Sequence, residues 1–160
     1  MEYNKLKGKN LVSVGRCADM PVLGFGDTIT LNRRGKQRKY PEYEFHIQCP
    51  FRIMKENQII LGSYDIYCAL GDENDSDWET YGNNRFDKVA EDIIKPMLPV
   101  KVLDIFVSEV GDILIKLENE TEINIFIHSE GNNDREFWRF IDFKNDIHVV
   151  FEEGKINQDD

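Results

Sequence analysis

Over most of this chain, hydrophobic and polar residues alternate. In an extended strand, residues two apart share a face, so this period marks half-buried β structure. Ile113, Ile115 and Leu117 follow it, as do Ile123, Ile125 and Ile127. The pattern predicts strands over 10–15, 22–32, 43–54 and 59–70, the last two pairing antiparallel across the turn "KENQ". It also predicts a C-terminal meander over 100–109, 112–119, 122–129, 136–143 and 147–153, with turns at Val110–Gly111 and Glu120–Thr121. Gly24 and Gly26 mark a bulge or tight bend ahead of "TITL". "RRGKQRKYP" (33–41) reads as a polar, basic connector that turns at Gly35.

The period lengthens once. Phe86, Val89, Ile93 and Met97 recur at spacings of three or four, with Ala90 and Ile94 widening the stripe, and so predict a helix over 85–98. Asn83 or Asn84 is placed to cap it. Asp87 and Glu91 lie early, where the helix dipole favours acids. Pro96 predicts a kink or an end near Lys95. One helix among so many strands implies an α+β fold: a mostly antiparallel sheet of about eight strands carrying the 85–98 helix on one face. A chain of 160 residues suits one core. The expected organisation is a single domain over 1–155 and a polar tail over 156–160.

Charge narrows the partners. The chain has 30 Asp and Glu against 20 Lys and Arg, a net charge of −10. Such a field attracts basic partners and argues against nucleic acid and anionic membrane. The basic run Arg33, Arg34, Lys36, Arg38 and Lys39 reverses the sign locally and reads as a solvated loop. No apolar run approaches the roughly 20 residues of a membrane-spanning helix. Cys17, Cys49 and Cys68 are odd in number and scattered, and no signal-peptide pattern is visible. A reduced, cytoplasmic protein is the expectation, with no membrane partner and an oligomeric state the sequence does not specify.

The richest stretch for chemistry is "EFHIQCPFRI" (44–53). Alternation divides it. Phe45, Ile47, Cys49, Phe51 and Ile53 take one face, and Glu44, His46, Gln48, Pro50 and Arg52 the other. Cys49 therefore reads as a small core hydrophobe, and it cannot pair with His46 unless Pro50 marks a bulge. Glu44, His46, Gln48 and Arg52 form a polar row, the alternative site for a small ligand or for an enzyme with His46 as its acid–base group and Arg52 as its anion anchor. Other signatures are missing. No CxxC or HxxxH occurs, and "DENDSD" (72–77) lacks the glycine and glutamate that a calcium loop needs. No GxSxG and no phosphate-cradling glycine loop occurs. No catalytic residue, metal or cofactor is expected.

The polar segment 71–85 holds a different arrangement. Trp78 and Tyr81 are ringed by Asp72, Glu73, Asp75, Asp77 and Glu79. Aromatic anchors within a charged rim have the composition of a protein interface. The competing reading has Trp78 folding back to staple the loop to the core.

The strand Phe45–Ile53, of the type apolar–His–apolar–Gln–Cys–Pro–aromatic–Arg–apolar, resembles one in small uncharacterised bacterial proteins. The ending "EFWRFIDF…IHVVFEEGKI" resembles the endings of immunity proteins of bacterial toxin systems. The resemblance implies a bacterial cytoplasmic protein and carries over no catalytic residue. Composition and resemblance converge on a non-enzymatic acidic binding module, most concretely an immunity protein that sequesters a basic toxin such as a nuclease.

Overall fold

The alternating segments pair into eleven strands, not about eight, in the computed structural model, which describes residues 1–71, 77–130 and 135–159. The strands are β1 (Asn10–Cys17), β2 (Met20–Arg33), β3 (Lys36–Ile47), β4 (Phe51–Lys55), β5 (Gln58–Gly62), β6 (Val100–Val107), β7 (Ile113–Leu117), β8 (Thr121–Ile125), β9 (Glu136–Asp142), β10 (Ile147–Glu152) and β11 (Lys155–Asp159). Their order in space is β11-β10-β9-β3-β2-β1-β6-β7-β8-β4-β5, with antiparallel pairing between neighbours.

The expected C-terminal meander parts after β8, which pairs with β4, while β9 pairs with β3, because the chain crosses to the other half of the sheet between them. Three boundaries also depart from the alternation reading. The basic connector over 33–41 is strand, because β2 and β3 run on as one long hairpin with Arg33 opposite Lys36. Its tip is Arg34–Gly35, with φ of 51° and 74°. A two-residue turn with both φ positive matches the twist of the strands it joins, so the ladder continues to its end. The expected polar tail also pairs: His148 to Glu152 of β10 oppose Asp159 to Lys155 of β11. The stretch 59–70 is strand only as far as Gly62, after which Ser63–Tyr67 forms a 3₁₀ turn. The bulge expected at the glycines falls between Phe25 and Thr28 of β2.

The stretch 43–54 breaks in the middle, and the break sets the architecture. β3 lies between β2 and β9, whereas β4 lies between β8 and β5. Gln48, Cys49 and Pro50 carry the chain from one half of the sheet to the other. Pro50 has no N–H to give a ladder, and the neighbouring backbone groups find other partners. Gln48 N–H donates to the Phe137 carbonyl at 2.8 Å, Phe51 N–H to Ser63 Oγ at 3.2 Å, and Phe126 N–H to the Pro50 carbonyl at 2.8 Å. Alternation survives the crossing: Phe45, Ile47, Cys49, Phe51 and Ile53 are all buried. The two halves are otherwise joined through β1 and β6, over the pairs Asn10–Lys101 and Leu11–Val100.

A single apolar core draws residues from both halves of the sheet. Phe25 and Phe45 meet edge to face at 6.3 Å, Phe45 meets Trp138 at 5.9 Å, and Trp138 stacks on Phe151 at 5.9 Å. Trp138 Nε1–H, buried with its ring, donates to the Gly111 carbonyl at 2.8 Å. The β6–β7 turn thereby seats against β9 and β10.

The helix begins as expected, with Asn84 accepting a hydrogen bond from Asp87 N–H at 2.8 Å. Its α-helical part, α1 (Arg85–Val89), passes into a π turn (Ala90–Ile94) and then a 3₁₀ turn (Lys95–Met97). Pro96 lies in that final turn, where the helix ends. The π turn corrects the predicted stripe. A continuous α-helix would align Ile93 with Phe86 and Ala90. A π turn winds less per residue, so the buried position slips by one. Ile94 is 2% exposed and Ile93 is 48% exposed. Among the described residues, no helix is long and apolar enough to cross a membrane.

Candidate functional site

A concavity opens where the chain crosses between the halves of the sheet. It measures about 440 Å³, within the usual size of small-ligand sites. The crossing segment Ile47–Pro50 forms part of its wall. The β1–β2 turn adds Asp19, Met20 and Pro21, the 3₁₀ turn adds Ser63, Tyr64 and Tyr67, and His128 and Arg135 complete it.

The aromatic wall follows from the local helical geometry. In a 3₁₀ turn, residues three apart eclipse, so Tyr64 and Tyr67 share a side while Ile66 is buried. Their rings lie 6.0 Å apart. Tyr67 is held from two directions: Trp78 meets it edge to face at 5.2 Å, and its hydroxyl donates to Asp19 Oδ2 at 3.1 Å. Tyr64 remains 77% exposed and Tyr67 46% exposed.

Trp78 is itself anchored by a buried network. Arg16, near the end of β1, grips Asp87 of α1 through Nε–Oδ1 and Nη2–Oδ2 contacts, both 2.7 Å. Arg16 Nη2 also donates to the Trp78 carbonyl at 2.9 Å, and Asn84 Nδ2 donates to the same oxygen at 3.1 Å. Gly82 N–H donates to Asp87 Oδ2 at 2.8 Å. Burial works to raise the Asp87 pKa, but the hydrogen bonds from Arg16 and Gly82 outweigh it and leave the carboxyl below its ordinary value.

The residues singled out by sequence separate into groups. Asp72, Glu73 and Asp75 lie outside the described residues. Trp78 is partly buried against the core and staples the loop, while Asp77, Glu79 and Tyr81 are exposed. The polar row does not converge. His46 Nε2 contacts Glu44 Oε2 at 2.9 Å on β3, and its cross-strand neighbours are Val22 and Arg139. Arg52 belongs to the other half of the sheet, where it stacks over Phe126 at 4.9 Å. Of the four, only Gln48 lines the cleft.

Cys49 lines the cleft too, but burial, assisted by the Asp112 charge, pushes its thiol up to about 12. A thiol held protonated is a poor nucleophile. Ser63 Oγ already accepts the Phe51 N–H. Among the described residues, no three His, Cys, Asp or Glu side chains gather as a metal site.

Sequence reasoning overlooked Arg16, Asp19, Tyr64, Tyr67, His128 and Arg135. One signal was present: "SYDIY" spaces two tyrosines by three around a single core isoleucine, a helical rather than a strand period. The other residues come from separate strands and turns with no local signature.

Comparison with known proteins finds no match: no protein family, no curated sequence and no solved structure is similar to this chain.

Proposed function

We propose that this protein is a non-enzymatic binding module that docks a basic protein, most concretely a toxin such as a nuclease. The reading rests above all on Tyr64 and Tyr67, which are 77% and 46% exposed while Tyr67 is locked in place by Trp78 and Asp19. Exposed aromatic rings held in one geometry lose little entropy on binding and serve as interface anchors. Asp19, Asp77 and Glu79 flank this ridge with negative charge, and Asp72, Glu73 and Asp75 belong to the adjoining stretch of chain. The net charge of −10 would steer a basic partner toward the protein before the aromatic contacts form.

Affinity capture from the native cell, with the Tyr64→Ala/Tyr67→Ala variant as control, tests it. The expected result is a basic protein retained by the natural chain and lost from the variant. Association of the purified pair should slow with added salt and with the Asp77→Lys/Glu79→Lys variant. A captured partner whose binding ignores all four substitutions would overturn the reading.

A further inference from the structure

We infer that the 440 Å³ cleft is a binding site for a small monoanionic aromatic acid, its carboxylate held by Arg135 and His128 and its ring set against Tyr64 and Tyr67. This inference shares Tyr64 and Tyr67 with the proposed partner surface but does not rest on that reading, and Arg135→Ala, which leaves both tyrosines in place, tests it separately.

The topology places the two kinds of wall. The crossing segment continues β3, whose neighbours are β2 and β9. Met20 and Pro21 open β2 on one side, and Arg135 immediately precedes β9 on the other. Arg135 therefore lies on the β9 side of the cleft, where the His128 ring meets Phe137 of β9. Arg135 is exposed and makes no ion pair among the described residues, in contrast to Arg16 and Arg139. A guanidinium with its donors free is the preferred protein group for a carboxylate. The His128 ring is positioned by an edge-to-face contact with Phe137 at 6.1 Å. Gln48 brings an exposed amide to the same wall.

The rest of the lining selects for a flat, largely apolar body. Met20 and Pro50 offer hydrocarbon, and the tyrosine pair offers ring faces. The protonated Cys49 thiol adds no charge. The overall charge of −10 and the Asp19 carboxylate on the β1–β2 side of the cleft, which already accepts from the Tyr67 hydroxyl, disfavour a dianion, and the one guanidinium on the far side matches a single carboxylate.

The test is an NMR titration of the ¹⁵N-labelled full chain with indole-3-acetate, its neutral amide, and acetate. Saturable shifts are expected from the acid, centred on Gln48, Ser63, His128 and Arg135. The amide should bind roughly tenfold more weakly or worse, the usual loss when a charge-assisted hydrogen bond is removed. Acetate, which lacks a ring, should not saturate. Arg135→Ala should abolish the preference for acid over amide, whereas Tyr64→Ala should weaken both. Both side chains are exposed, so the variants should keep the natural fold, checked by the dispersion of the core resonances. The inference is overturned if acid and amide bind equally, if Arg135→Ala keeps the preference, if the shifts map elsewhere, or if the acid fails to saturate at its solubility limit.

Discussion

Arg16 and Asp87, 71 positions apart in the chain, form a two-point ion pair whose side chains are only 4% and 2% exposed. The pair ties β1 to the start of α1, and through the Trp78 carbonyl it fixes the support for Tyr67. Removing one partner strands the other charge in a dry site. Arg16→Ala is expected to cost about 3–5 kcal/mol of unfolding free energy, measured by urea denaturation. An Arg16→Met/Asp87→Leu variant, which buries no charge, should recover most of that loss. A single variant as stable as the natural chain would show the pair to be energetically idle.

The same carboxyl gives an acid dependence of defined sign. The folded pKa of Asp87 is lowered, and so is that of Asp142, where burial opposes but Asn145 and Lys5 prevail. Groups with depressed folded values bind fewer protons folded than unfolded. Their stabilisation is complete above the ordinary carboxyl range, about pH 4 to 5, and is lost as pH falls through the lower folded values. Urea midpoints measured from neutral pH downward should fall in that window. The Arg16→Met/Asp87→Leu variant should fall less steeply, and an identical slope would remove Asp87 as a cause.

The π turn makes Ile93 and Ile94 unequal despite their adjacency. Ile94→Ala should destabilise by about 2–5 kcal/mol, as for other buried isoleucines. Ile93→Ala should change stability by about 0.5 kcal/mol or less. A reversed ranking in thermal or urea unfolding would mean that the helix continues with α periodicity.

Gly111 has a φ of +88°, and a β-carbon there would lie 2.5 Å from the Phe151 ring. Gly111→Ala therefore meets backbone strain of about 1–2 kcal/mol and a clash with a buried aromatic. It should also disturb the hydrogen bond from Trp138 to the Gly111 carbonyl. The expected signature is lowered stability with an altered Trp138 fluorescence, read in a Trp78→Phe background. An unchanged melting temperature would count against this packing.

The thiols should separate by environment. Cys17 is exposed, whereas Cys49 is buried with its thiol pushed up to about 12. Iodoacetamide at about pH 8, where a thiolate is required for attack, should modify Cys17 in the native protein and Cys49 only after unfolding. Peptide mass mapping reads the outcome, and rapid native labelling of Cys49 would contradict its placement.

Alternation made the strands and the core face of 44–53 legible, because a period of two needs only neighbouring residues to define it. The failures have a common physical cause. Whether Gln48–Pro50 continues a strand or crosses between halves depends on which distant carbonyls and hydroxyls receive the local backbone groups, here those of Phe137 and Ser63. Whether 33–41 is loop or strand depends on a two-residue turn that lets a charged hairpin extend. Composition marks the acidic aromatic segment, but it does not say that Trp78 supports Tyr67 rather than standing out itself.

By itself, the sequence determined the sheet-rich α+β class, the apolar face running from Phe45 to Ile53, an asparagine cap at 83 or 84 and the acidic field, all of which follow from local period, local chemistry or summed charge. Only the tertiary structure decided that Arg16 meets Asp87, that Tyr64 and Tyr67 face a cleft shared with Arg135, and that His46 and Arg52 part company. Such meetings depend on strand order, and strand order is set by packing and pairing between segments far apart in the chain, which no local pattern encodes.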